Sequence, residues 1–317
     1  MKTTLTTLFA IAITSVALAQ NPDKALARVK YNFVHIQDTT EKDKPYTENM
    51  LLIIGKNASA YTSFDKINEQ LAMQKQLQEQ LKNQAGSGNM TLKISKSDSK
   101  PTSPLDYFYF VKENKFFTKE RVFNNYLIEE EAPKINWKIA KDTASFAGVH
   151  CQKATAYFKG RNWVAWFAPE LPFQSGPWKL NGLPGLIVEA YDEKKEVQFQ
   201  FAGLENVTAE DGKTADAGEI KIDGPAGSPG VVKIMGMDTG NTFLGNEIKL
   251  PADAVKTTRK ELDKLKDAQA KDPQGFMNAQ LAGSGVKFGN MTRTSGSVGT
   301  PRPKAVVNNP VELPEKK

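Results

Sequence analysis

The chain has 317 residues, of which 39% are hydrophobic and 25% are charged, and its net charge is +6. This composition is that of an ordinary globular protein, and it excludes collagen-like and wholly disordered chains. A single cysteine and two histidines exclude an intramolecular disulfide framework and a histidine-rich metal cage.

The first 19 residues have the pattern of a secretory signal peptide. Met1 and Lys2 precede an uncharged, largely apolar stretch that ends in Ala17-Leu18-Ala19, which predicts cleavage before Gln20. The apolar stretch is shorter than the ~20 residues that a membrane-spanning helix needs. No later segment is as long and as hydrophobic, so we expect no membrane span. The sequence therefore predicts an exported protein, periplasmic or extracellular, that is soluble after removal of residues 1–19.

The first half of the mature chain alternates between strand and helix signals. Residues 27–33 alternate apolar and polar side chains, which predicts a strand with one buried face. Residues 50–54 are continuously apolar and predict a strand covered on both faces. Residues 65–84 carry apolar side chains mostly four apart, which is typical of a helix with a polar face. Together with a Gly-, Ser- and Pro-rich stretch, they form a helical excursion over residues 65–104.

From residue 105 onward the signal is one of repeated hairpins. The three strand pairs are 107–111 with 116–122, 151–158 with 163–167, and 186–191 with 196–201. Short turns between such strands favour an antiparallel sheet over a parallel one. Short strands near residues 219–222 and 231–235 are expected to extend the same sheet.

A second helix is predicted near residues 250–271, with Pro251 in its first turn. Residues 283–317 are rich in Gly, Ser and Thr at their start and are expected to form a flexible C-terminal tail. The fold class is therefore mainly β: a curved antiparallel sheet or partly closed barrel with two helical segments. A single β domain over residues 20–282 is the simplest organisation.

Three motifs follow one another between residues 148 and 187. They are Gly148-Val149-His150-Cys151-Gln152, Gly160-Arg161-Asn162-Trp163-Val164-Ala165-Trp166-Phe167, and Gly182-Leu183-Pro184-Gly185-Leu186-Ile187. Together with Asn308-Asn309-Pro310-Val311-Glu312-Leu313 near the C-terminus, they resemble the GLPGLI family of exported Bacteroidota proteins. The resemblance implies export and a role in the cell envelope. It assigns no catalytic residue, because the biochemical role of that family is not established.

The hexapeptide itself is explained by backbone geometry. In Leu183-Pro184-Gly185-Leu186, proline and glycine suit the two central positions of a type II turn, in which glycine supplies the positive φ. Gly182 adds another permissive backbone position. We therefore interpret the motif as a tight corner that launches a core strand, and not as a reactive centre.

Aromatic side chains near the motif are the candidate binding residues. Trp163, Trp166 and Trp178 pair apolar rings with single hydrogen-bond donors, which suits interaction surfaces. Trp163 and Trp166 are three apart in one strand and therefore point to opposite faces. Arg161 at the hairpin tip is a candidate for binding an anionic group.

The function predicted from these observations is binding or scaffolding without catalysis, with an unknown envelope protein or an apolar or peptide-like ligand as partner. Two alternatives stay open: an enzyme with Cys151 as nucleophile, and a copper site using His150, Cys151, Met235 and Met237. No cofactor is implied by any motif. The positive charge is dispersed along the chain and forms no basic stripe, which argues against nucleic-acid binding.

Overall fold

The computed structural model describes residues 22–84, 100–208, 220–223, 229–232, 241–283 and 306–315. The predicted signal peptide, residues 1–19, lies outside the described residues. The strands are β1 (Asp23–His35), β2 (Tyr46–Gly55), β3 (Ala58–Ser63), β4 (Leu105–Phe110), β5 (Lys115–Arg121), β6 (Asn125–Glu131), β7 (Lys138–Phe146), β8 (Val149–Phe158), β9 (Arg161–Ala168), β10 (Leu186–Asp192), β11 (Val197–Asn206), β12 (Ile220–Asp223), β13 (Pro229–Val232), β14 (Glu247–Ile248) and β15 (Val255–Thr257). The helices are α1 (Phe64–Gln84), α2 (Asn241–Leu244), α3 (Arg259–Lys271) and α4 (Pro273–Gly283).

Thirteen of the described strands form one sheet in the order β15-β6-β5-β4-β3-β2-β1-β11-β10-β9-β8-β7, with β14 also paired to β1. Every ladder is antiparallel except that of β15 with β6, which is parallel. The two ends of this order, β15 and β7, are not paired with each other, so the sheet is open. The mainly β fold is thus confirmed, as a curved, open sheet.

Aromatic contacts across several strands show that the sheet bends around its core. The rings of Tyr61 in β3 and Phe199 in β11 are 6.3 Å apart. Their strands are three positions apart, which corresponds to about 14 Å on a flat sheet. Farther along, Lys179 in the loop between β9 and β10 reaches Glu130 in β6 at 2.9 Å. The concave side therefore encloses the larger core, whose buried aromatic residues include Tyr31, Tyr61, Trp163, Phe167 and Phe199.

The opposite face of β2–β5 carries a second core. Leu51, Ile53, Phe108 and Phe117 point to this side, and Ile67 of α1 packs among them. The continuous apolar run in β2 is explained by this arrangement, because its residues alternate between the two cores. Both faces of β2 are buried, as the sequence predicts.

The helices differ from the prediction in number and in position. Four helices are described where the sequence predicts two helical segments, and α1 lies within the predicted excursion. The helix predicted near residues 250–271 begins only at Arg259, because residues 255–257 pair with β6 as strand β15. Thr258 then caps α3 in a capping box with Glu261, a local signal that favours this start over Pro251.

The short strands β12 and β13 were expected to extend the main sheet. They pair instead with each other, as a separate two-stranded sheet. This pairing satisfies their backbone groups locally, so the alternating sequence alone does not tell which sheet such strands join.

Residues 306–315, here called the C-terminal segment, fall within the predicted flexible tail. The N–H groups of Asn308 and Asn309 donate to the Gln37 carbonyl at 3.1 and 3.0 Å, and the Leu313 N–H donates to the Lys159 carbonyl at 3.0 Å. Residues 308–313 are therefore held against the sheet and its turns, while the flexibility of residues 283–317 as a whole stays a prediction. The physical reason for this docking is a set of partners far away in sequence, which local composition does not report.

Candidate functional site

Two of the four candidate binding residues lie in the main core. Trp163 is 1% exposed and Trp178 is 7% exposed. Their rings are 5.6 Å apart, and Trp163 stacks on Phe199 at 6.0 Å. The Trp163 indole N–H donates to the Phe158 carbonyl at 3.0 Å, which satisfies its polar atom inside the core. These two tryptophans stabilise the sheet, and in this conformation a partner does not reach them.

Trp166 points to the opposite face, as the spacing predicts, and it is half-buried. Register pairs it with Lys153 in β8 and with Glu189 in β10. Its indole N–H lies 3.4 Å from the Tyr191 hydroxyl, and its ring lies 5.7 Å from that of Phe146. We call this surface the outer face; its partly exposed side chains are Phe146, Lys153, Trp166, Glu189 and Tyr191.

Glu189 on the outer face forms a hydrogen bond where the backbone ladder between β10 and β11 ends. The ladder between β10 and β11 covers only Ala190 with Phe199 and Tyr191 with Gln198. Beyond it, the Glu189 carboxylate accepts a hydrogen bond from the Phe201 N–H at 2.9 Å. Burial raises the pKa of Glu189 above its ordinary value, against the opposing effect of this hydrogen bond. The side chain thus replaces a backbone partner where the two strands separate.

Cys151, the proposed nucleophile, is buried on the same side of the sheet. Burial, and then the nearby negative charge of Glu189, raise the pKa of the Cys151 thiol to about 11. The thiolate, which is the nucleophilic form, is therefore scarce at neutral pH. The Cys151 thiol contacts the Val149 carbonyl at 3.5 Å, whereas His35 is bound to the Asn309 carbonyl at 2.7 Å. His150 is exposed and adjacent in the strand, so its side chain projects to the other face.

Arg161 is not a free cation at a hairpin tip. It is the first residue of β9, is 3% exposed, and forms an ion pair with Asp192 at 2.8 Å. Its guanidinium also donates to the side-chain oxygen of Asn309 and to the carbonyls of Pro310 and Val311, at 2.7, 2.7 and 2.9 Å. The structure thus gives Arg161 a binding role, but its partner is the C-terminal segment of the same chain.

The hexapeptide at residues 182–187 is structural, although not by the predicted turn. Gly185 does not have a positive φ; among the motif glycines, Gly182 does, at 86°. The Gly185 N–H donates to the Leu183 carbonyl at 2.9 Å, which closes a three-residue turn around Pro184. A Cβ at Gly185 would lie 2.2 Å from the Ala168 carbonyl oxygen. Glycine is required there because two backbones approach closely.

The rest of the motif is buried against the same core. Leu183 is 1% exposed, and Leu186 and Ile187 are fully buried. Gly176, in the preceding loop, leaves room for Ile187, since a Cβ there would lie 2.8 Å from the end of that side chain. The motif therefore forms a packed corner that directs β10 into the sheet.

A polar cavity that the sequence did not predict lies on the α1 side of the sheet. The cavity has a volume of about 270 Å³ and is lined by residues that include Lys66, Gln70, Asp106, Lys119 and Arg121. Asp106 is fully buried and pairs with Lys66 at 2.6 Å and Lys119 at 3.0 Å. Although burial opposes it, the positive charges of the two lysines hold the pKa of Asp106 below its ordinary value. A signal existed: Asp106 shares its strand face with Phe108 and Phe110, where an apolar residue is expected.

The copper hypothesis receives no geometric support from the described part of the chain, in which no three His, Cys, Asp or Glu side chains cluster closely enough to hold a metal ion. Met235 and Met237, two of its proposed ligands, lie outside the described residues. Within the same described ranges, none of the helices has the length and apolar character needed to cross a membrane.

Comparison with known proteins gives a short match and a distant one. A family model described as a protein of unknown function, Porph_ging, matches residues 157–189, from the end of β8 to β10. That family is typical of Bacteroidota, and the match is consistent with the resemblance seen in the sequence. No curated protein matches the chain.

Two solved structures of PNGF-II, in the P21 and C2 space groups, resemble 58% of the chain at 12% sequence identity, with TM-scores of 0.39 and 0.38. The match spans 29% and 28% of those chains, less than a third of their length.

Proposed function

We propose that the chain is an exported, non-enzymatic binding protein of the GLPGLI family that acts in the cell envelope. The proposed partner is a peptide-like segment of another envelope protein, and the proposed contact surface is the outer face around Trp166. Export rests on the signal-peptide pattern of residues 1–19, and the family on the motifs together with the partial match over residues 157–189.

The observation that carries this proposal is the position of Trp166. Of the four candidate binding residues, Arg161, Trp163 and Trp178 are buried, and Trp166 alone is partly exposed. Around it lie an aromatic ring, a phenol, a lysine and a carboxylate, which together offer apolar area and hydrogen-bonding groups. Tryptophan and tyrosine, together with arginine, are the residues most enriched in interface hot spots. A rigid sheet also presents them at little cost in entropy.

The enzymatic alternative is less well supported. A catalytic Cys151 would need a depressed pKa and a nearby base, whereas burial raises its pKa to about 11. Alkylation measures this directly: we expect Cys151 to react with a thiol reagent only after denaturant is added. Rapid alkylation of the folded protein would favour the alternative.

The binding proposal is tested by cross-linking and co-purification from the envelope of the native host. We compare the wild type with Trp166→Ala and with Tyr109→Ala, a control that removes a half-buried aromatic ring elsewhere in the sheet. We expect one set of partners with the wild type and the control, and a loss of those partners with Trp166→Ala. Identical sets from all three proteins would contradict the proposal. N-terminal sequencing of the recovered protein tests export, with Gln20 expected as the first residue.

A further inference from the structure

The C-terminal segment occupies a site that is built for it. Asn309 is 4% exposed, and each of its polar groups is bound. Its side-chain oxygen accepts from Arg161, its amide donates to the Ile36 carbonyl at 2.8 Å, and its carbonyl oxygen lies 2.7 Å from the His35 ring. The partners are the last residue of β1, the residue that follows it and the first residue of β9, all more than a hundred residues away in sequence.

The site continues along the segment. Glu312 pairs with Lys179 at 2.9 Å and with Lys159 at 3.4 Å. Leu313 lies over Gly160, where a Cβ would meet the Leu313 backbone oxygen at 2.7 Å. Val311 packs against the main core. The site thus contacts an amide at Asn309, apolar side chains at Val311 and Leu313, and a carboxylate at Glu312. These contacts come from the buried cations Arg161 and Lys179, from the more exposed Lys159, and from Gly160. Contacts to successive side chains are how peptide sites gain specificity.

The C-terminal segment docks as an irregular peptide with bends at residues 308–309 and 311–312, and not as a strand of the sheet. Residues 308–313 form no strand and add no ladder to the sheet. Residues 284–305 join the segment to α4; these 22 residues span at most about 75 Å when extended, which is enough to reach a second molecule.

We propose that the site around Arg161 and Gly160 binds the C-terminal segment of a second copy of this chain, so that the protein assembles by exchange of residues 306–315. An exchanged segment makes the same contacts in the partner as in its own chain, which is the usual basis of swapped dimers. Because a tethered segment has an effective concentration in the millimolar range, docking within one chain dominates in dilute solution, and exchange dominates when copies are concentrated.

Two complementary variants isolate the exchange. Gly160→Ala blocks the site by contact with Leu313 but keeps an intact segment, whereas Asn309→Ala weakens the segment but keeps an intact site. In a 1:1 mixture of the full-length variants, the intact segment of the first fits the intact site of the second. At about 0.1 mM total protein, an order of magnitude below a millimolar effective concentration, we expect a heterodimer in sedimentation velocity, and each variant alone is expected to be monomeric.

The control is Gly148→Ala, which has the same kind of backbone strain in the preceding hairpin but nothing within 4 Å of the added Cβ. Mixed with Asn309→Ala, it retains its own segment and is expected to give at least tenfold less heterodimer. A mixture of Gly160→Ala and Asn309→Ala that stays monomeric, while circular dichroism shows both variants folded, overturns the proposal. Equal heterodimer with the control overturns it as well, because association would then not depend on a vacated segment.

Discussion

The glycines in the turns of two consecutive hairpins, at opposite ends of β8, allow a direct measurement of how strongly the C-terminal segment is held. Gly148 and Gly160 have φ values of 85° and 75°, and each follows a residue that also has a positive φ. An alanine in this region costs roughly 1–2 kcal/mol of backbone strain. This backbone strain has the same cause at both sites. It therefore cancels when the free energies of unfolding of Gly148→Ala and Gly160→Ala are compared.

What differs is the space around the added methyl group. At Gly148 nothing lies within 4 Å, whereas at Gly160 the Cβ would lie 2.6 Å from the Leu313 Cβ and 2.7 Å from its carbonyl oxygen. Leu313 must therefore move away, which breaks its hydrogen bond to Lys159, about 1 kcal/mol. The half-buried Leu313 side chain also loses part of its contact, about 1 kcal/mol more. We expect Gly160→Ala to be less stable than Gly148→Ala by about 2 kcal/mol.

Urea denaturation of both variants measures this difference, and hydrogen exchange of residues 306–315 locates it. We expect amide protection in the segment to fall in Gly160→Ala and to be unchanged in Gly148→Ala. Equal stability of the two variants, with equal protection of Asn309 and Leu313, would refute the reasoning, because the segment would then not depend on the glycine surface.

Two further predictions concern the motif and the outer face. Gly185→Ala, whose Cβ would lie 2.2 Å from the Ala168 carbonyl oxygen, should cost about 3 kcal/mol by overpacking; Gly182→Ala, with a φ of 86° and open space, should cost about 1–2 kcal/mol of strain. If both variants lose similar amounts of stability in thermal unfolding, the close approach of the Ala168 backbone does not require glycine at position 185. Glu189→Gln should stabilise the protein, because the amide still accepts from Phe201 and carries no half-buried charge. Since burial raises the folded-state pKa of Glu189 above about 4.5, ionisation favours the unfolded chain. The advantage of the variant, about 0.5 kcal/mol after solvent screening, should be absent well below pH 4.5 and appear as pH rises through the folded-state pKa. A stability advantage that is largest in acid would contradict this pH dependence. The control is Glu113→Gln, which removes a carboxylate from an exposed turn.

The candidate site shows where reasoning from the sequence reaches its limit. The alternation of Trp163 and Trp166 between two faces is a local property of a strand, and it is confirmed. Which of the two faces is buried depends on residues that are distant in sequence. Trp163 is buried because Phe199 and Trp178, from other parts of the chain, pack against it. Arg161 is the sharper example, since a turn position usually means exposure, and its burial depends on Asn309, 148 residues away.

The sequence by itself determined the mainly β class, the strands at residues 27–33 and 50–54 and the hairpins β4–β5, β8–β9 and β10–β11, because side-chain alternation and turn residues act over a few positions. It also marked the corner at residues 182–187 as architectural, although Gly185 serves close approach and not a positive φ. Only the tertiary structure decided the pairing of residues 255–257 with β6, the buried Asp106 cluster and the docking of the C-terminal segment. Each of these depends on partners that meet only when distant segments pack, and such contacts leave no periodic trace in the chain.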